Sequence, residues 1–138
     1  MSLKQSKEEQ QLRNAIDRLE DAYEFMIAYA AQGRRLETND EGPSKIRAAI
    51  SAFLTSIQEI EATGLTKINE DAKAFEQRFI DDMLVVKNGL QLLEAKTSIS
   101  SDMVDNTNAL LSMRSFLTSI FFIDQVLLPE RPSEQRNS

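Results

Sequence analysis

The chain has no cysteine and no histidine, and no tryptophan either. Without cysteine there is no disulfide framework and no thiol nucleophile. Without histidine there is no histidine phosphotransfer, no Ser-His-Asp or Cys-His triad, no Glu-x-x-His di-iron arrangement of the ferritin type, and no His/Cys zinc site. Excess positive charge is also missing. The 16 Lys and Arg are outnumbered by 22 Asp and Glu, for a net charge of -6. The basic residues are scattered, whereas binding to a phosphate backbone uses clustered ones, so no nucleic-acid partner is expected. Long apolar runs are lacking as well. The most apolar window, Phe116 to Ile123, is interrupted by Thr118 and Ser119 and stopped by Asp124. It falls far short of the roughly 20 residues a membrane span needs, so none is expected. The start, Met1 to Glu9, is polar and carries no apolar core of an export signal, which makes a cytoplasmic protein the expectation.

What remains is helical patterning. Leu12, Ile16, Leu19, Tyr23, Met26 and Ala30 recur at alternating steps of four and three, and predict an amphipathic helix over 7–32 closed by Gly33. Asn39 to Pro43 is turn chemistry. Pro43 suits the first turn of a second helix over 43–63, with Ile46, Ile50, Phe53, Ile57 and Ile60 as its stripe and Gly64 as its stop. A third helix, over 67–96, has Ile68, Ala72, Phe75 and Phe79 on its stripe. The pattern then passes over Asp82 to Met83, Val86, Leu90 and Leu93, a four-residue stutter. Asn88-Gly89 lies inside this helix, and a break there is the competing reading. A fourth helix over 102–128 carries Met103, Leu110, Met113, Leu117, Ile120, Ile123 and Leu127, and Pro129 and Pro132 end it. The short connections predict an all-α, antiparallel up-down-up-down four-helix bundle over 1–128, followed by a disordered tail over 129–138.

Four sets of residues invite a functional reading. If the third and fourth helices turn over near residue 98, facing positions have numbers summing to about 197. Asp82 then lies level with Arg114, and Lys73 level with Asp124. A buried charged ligand site is one reading; inter-helix ion pairs that fix register are the plainer one. Glu20 and Glu24 share a helix face, as paired catalytic or Mg²⁺-binding carboxylates do, but no second facing cluster accompanies them, so a solvated face is favoured. Arg34, Arg35, Lys45 and Arg47 surround the turn before the second helix. Glu37, Asp40 and Glu41 in the same loop, and the lack of a Gly-rich phosphate loop, speak against an anion site.

The fourth set is surplus apolar surface. The first helix is apolar nearly all round from Ala22 to Ala31, including Phe25, Ile27 and Tyr29. The fourth is so from Phe116 to Leu128, with Phe116, Phe121, Phe122, Val126 and Leu128 off the main stripe. Extra apolar faces call for a second covering surface, the plainer reading being a tight bundle whose helices are simply well buried, with Ala and Tyr making close contacts. The function expected is therefore a non-enzymatic protein–protein interaction module, an adaptor, chaperone or regulatory subunit. It is expected to form a homodimer through those faces, with a further protein partner allowed and no cofactor or metal. The alternative is a small-molecule-binding bundle with an apolar pocket near Tyr23, Met26 and Tyr29. No motif in the chain carries a family resemblance.

Overall fold

The computed structural model describes residues 6–38 and 44–131. Within them the chain is all-helical, with no strand, and has five α-helices rather than the four expected: α1 (Lys7–Ala30), α2 (Lys45–Thr63), α3 (Lys73–Glu94), α4 (Ser101–Asn108) and α5 (Leu111–Phe122). Ser6 starts α1 through a reciprocal capping box, accepting from Glu9 N at 3.1 Å while its own N–H donates to the Glu9 carboxylate at 2.7 Å. Gly33, at φ 66, turns the chain out after α1, and Gly64, at φ 74, does the same after α2. Ser44 caps α2 by accepting from Arg47 N; the expected roles of Pro43 and the 39–43 turn lie outside the described residues.

α3 begins later than expected. Two 3₁₀ turns, Leu65–Lys67 and Glu70–Ala72, precede it. Asn69 accepts from Asp71 N, a local side-chain bond that competes with helix. Glu76, in the first turn of α3, reaches back to the N–H of Leu65 at 2.6 Å. The helix then continues through Asn88-Gly89 without a break.

The single fourth helix expected over 102–128 is corrected to three pieces. α4 ends at Asn108, and Leu110 is an extended N-cap to α5 at φ -57, ψ 138 with no side-chain cap. The paths on either side are bent by 63°. The cause lies in Asp105-Asn106-Thr107-Asn108, a run of poor helix formers in which the Thr107 hydroxyl donates back to the Met103 carbonyl at 2.8 Å. Thr107 also occupies the point where the apolar stripe has no member. Beyond α5 the chain widens into a π-turn, Ile123–Leu127, where Leu128 N–H donates to the Ile123 carbonyl. These two interruptions reset the phase of the buried face. Phe116 and Leu128, expected as exposed interface residues, are both buried in the chain's own core. The five-residue step of the π-turn carries Leu128 inward, while Leu127 is only partly buried.

The core gathers the predicted stripes of α1 and α2 with Phe79, Met83, Val86 and Leu90 of α3 and Met113, Phe116 and Ile120 of α5. An aromatic series crosses it. Tyr23 meets Phe53 at 6.4 Å between centroids, Phe53 meets Phe116 at 6.2 Å, and Phe116 stacks on Phe79 at 5.3 Å. Phe79 lies 6.2 Å from Phe75, which meets Phe122 at the surface at 5.0 Å.

The expected disordered tail starts with residues that are held. The Pro129 carbonyl accepts from Arg13, and Arg131 bonds to Asp17 and Asp124. Residues 132–138 lie outside the described residues.

Candidate interaction surface

Several large apolar side chains stay open to solvent, and they concentrate around α3 and the α4–α5 break. Leu110 lies beside Gly89: a Cβ added at Gly89 would sit 3.7 Å from Leu110 Cδ1. One turn to either side of Gly89 on α3 lie Val85, 51% exposed, and Leu92, 64% exposed; Leu110 is 42% exposed and Leu111, next in the chain, 81%. The helix break therefore brings two leucines to the surface beside two apolar residues of α3. Apolar side chains left open together on a monomer surface often mark a site of function. A second group, Phe121, Phe122 and Val126, is exposed along the end of α5 and the π-turn.

Of the residues singled out in the sequence, Phe121, Phe122, Val126 and Ile27 are exposed and Phe25 is partly buried. Tyr29 is in the core, with its hydroxyl donating to the Ile99 carbonyl at 2.6 Å. Burial is the first cause holding its phenol above the ordinary range, with the Glu37 carboxylate adding to it. Met26 is fully buried as well, and Tyr23 partly so. The grooves between α1 and α2, at Arg18 and Glu59, and between α2 and α3, at Glu61 and Lys87, are open and lined with mixed polar groups.

The expected ion pairs have other partners. Asp82 is buried, but it accepts from the Ser115 hydroxyl at 2.6 Å and from Arg78 at 3.2 Å, while Arg114 is exposed. α5 is turned by one residue relative to the expected facing, so Ser115 stands where Arg114 was placed. Asp124 binds Arg13 and Arg131 rather than Lys73, which is exposed. Arg13 is buried.

Of the basic residues around the turn, Arg47 is committed internally, while Arg35 and Lys45 are exposed. The Arg47 guanidinium donates to the Glu94 carbonyl at 2.7 Å and to those of Lys96 and Thr97, closing the C-terminus of α3. It also makes a bidentate pair with Glu37, at 2.8 Å on each arm. Glu37 accepts in addition from the Ser44 hydroxyl at 2.6 Å and the Ile99 N–H at 2.7 Å. Burial pushes the Glu37 carboxyl up, but the bonds from Arg47, Ser44 and Ile99 outweigh it and hold the group below the usual carboxylate range. Ser101 completes this hub: its hydroxyl donates to the Tyr29 carbonyl and accepts from Arg34 N.

Glu20 is partly buried, and burial together with the neighbouring Asp124 and Asp17 raises its carboxyl above the ordinary value; Glu24 is exposed. No group of three acidic side chains among the described residues has the geometry to hold a metal ion. No single helix among them is long and apolar enough to cross a membrane; only the bent α4–α5 pair, taken together, has the length and composition. No family model matches the chain, and no curated protein or solved structure matches it either.

Proposed function

We propose that this chain is a non-enzymatic helical interaction module that self-associates, in the manner of an adaptor, chaperone or regulatory subunit. The observation that carries the reading is the apolar shelf formed by Val85, Leu92, Leu110 and Leu111 where the break between α4 and α5 opens beside α3. A standard dimer buries about 800 Å² per partner, with an apolar centre and a polar rim. The shelf supplies an apolar centre of this kind, and exposed Arg114 and Asn88 supply part of the rim. The helices are arranged as an antiparallel bundle in which α4 and α5 share the fourth position. In support, the end of one helix meets the start of another at three places: Arg47, early in α2, bonds to the Glu94 carbonyl that ends α3; Ser101, which starts α4, bonds to the Tyr29 carbonyl late in α1; and Phe75, early in α3, meets Phe122 at the end of α5. The mass in solution over a concentration series tests self-association. A dimer that becomes a folded monomer in Leu111→Asp is expected; a wild-type chain that stays monomeric at high concentration overturns the reading.

A further inference from the structure

Among the described residues, the large apolar side chains left open all lie on α3, at the α4–α5 break, or along α5 and the π-turn, save Ile27 and Leu36. Charge is scarce on that side. Arg114 is the one charged residue of α5, and it is exposed. It shares an exposed stripe with Leu111, Thr118 and Phe121, at helical steps of three and four. On α3, Asp81 shares such a stripe with Val85, Asn88 and Leu92. Neither Asp81 nor Arg114 has an ion-pair partner among the described residues, whereas Arg78 and Lys87 on α3 are engaged by Asp82 and Glu61. The residues that follow the two unpaired charges, Asp82 and Ser115, are bonded to each other across the seam at 2.6 Å. At a rise of about 1.5 Å per residue, Asp81 and Arg114 therefore stand within about 3 Å of the same height. Each is turned out of the seam, so the two do not meet within one chain.

We propose that a second copy of the chain docks on this face about a two-fold axis running along the helices, with Arg114 of each copy paired to Asp81 of the other. The proposal rests on the self-association reading and gives it a geometry. A two-fold dimer makes every contact twice. An axis along the helices lays α5 of one copy over α3 of the other at the same height. That arrangement joins opposite charges and sets Leu111 against the Val85–Leu92 stripe of the second copy. It also carries Phe121 over the early turns of α3, so both apolar groups enter one interface. An axis across the helices lays α5 on α5 instead, and leaves the one cation of that helix over a helix without an anion. Water is excluded from the middle of an interface, where a charge without a partner is costly and a matched pair fixes the orientation of the copies.

The dissociation constant of the full chain and of charge-reversed variants, measured by sedimentation equilibrium, tests this. Arg114→Asp sets carboxylate against carboxylate, and Asp81→Arg sets guanidinium against guanidinium. Each should weaken the dimer about tenfold or more. The double variant restores the attraction with its sign exchanged and should return to within about threefold of the original. The first reversal makes the chain more negative and the second less so, and a general charge effect would move the two constants in opposite directions. Unfolding midpoints, expected to be unchanged at these exposed positions, show that the fold is kept. A wild-type chain that does not associate overturns the self-association reading and this proposal with it. If the wild type dimerises, single reversals that have no effect or act in opposite directions overturn the pair and the axis alone. A double variant no tighter than the single ones does the same.

Discussion

The buried carboxylate of Asp82 and the hydroxyl of Ser115 meet at 2.6 Å across the seam between α3 and α5. This bond fixes how the two helices are rotated against each other, because Phe79 and Phe116 stack one turn away on the same seam. Ser115→Ala leaves a buried carboxylate short of a donor and should destabilise the fold by about 1–2 kcal/mol. Arg78, the other partner, is 72% exposed, and its loss should be felt much less. Urea unfolding of both variants checks the order, and an equal or larger loss in Arg78→Ala contradicts it.

Gly89 sits inside α3 with an ordinary helical backbone and an ordinary contact distance from its notional Cβ to Leu110. Nothing there requires glycine. Gly89→Ala should stabilise the chain by about 0.5–1 kcal/mol through helix propensity and a less flexible unfolded state. A higher midpoint of thermal unfolding is the expected result.

Glu37 and Glu20 should give opposite pH signatures. Glu37 has its carboxyl held low in the folded state, with the bonds from Arg47 and Ser44 outweighing the effect of burial. Its stabilisation is present above the unfolded carboxylate range and is lost as the pH falls through the lowered folded value. Glu37→Gln should therefore destabilise the chain at neutral pH and flatten its acid sensitivity. Stability measured from pH 7 down to about 3 reads this directly.

For Glu20, burial raises the carboxyl, and Asp124 and Asp17 add to the rise. The charged form is disfavoured by folding, so Glu20 lowers stability above its folded value. That cost disappears as the pH falls below the ordinary carboxylate value. Glu20→Gln should raise stability at pH 7 by less than about 1 kcal/mol, since the group is only partly buried. The gain should vanish near pH 4; a gain that persists there would remove the electrostatic explanation.

Phe116 and Phe121 should separate packing from surface. Phe116 is fully buried between Phe53 and Phe79, and Phe116→Ala should cost about 3–5 kcal/mol. Phe121→Ala, at a side chain 54% exposed, should leave the unfolding midpoint almost unchanged.

The sequence made the helices legible wherever one periodicity ran uninterrupted. The stripes of α1 and α2 face the core as spaced, with Tyr23 and Ala30 only partly buried, both terminal glycines have positive φ, and α3 runs through Gly89. Ser6 and Glu9 also spell their capping box openly. Phase was legible only between interruptions. Thr107 breaks the stripe of the expected fourth helix, and Leu110 and Met113 beyond it resume the spacing. Apolar spacing alone does not distinguish a resumed helix from a bent one. The π-turn moved Leu128 by one more residue. The Glu37–Arg47 hub left no local trace, because its carbonyl and N–H partners come from the far end of α3 and the start of α4. The burial of Arg13 has no local signal either, since the Pro129 carbonyl it donates to comes from the far end of the chain.

The hub also bears on the order in which the chain assembles. Tyr29 and Ile99 are 70 positions apart, and Arg47 and Glu94 are 47 apart. Closing such spans costs entropy before the long-range bonds of the hub form, whereas the Glu37–Arg47 pair is only 10 positions apart. The pairing of α1 with α2 requires only a short return, so the bonds that tie the hub to Glu94 and Ile99 are among the last to be made. Interactions formed after the rate-limiting step act on escape from the native state. The polar knot around Glu37 then sets how long the folded chain lasts, and has little influence on how quickly it is reached.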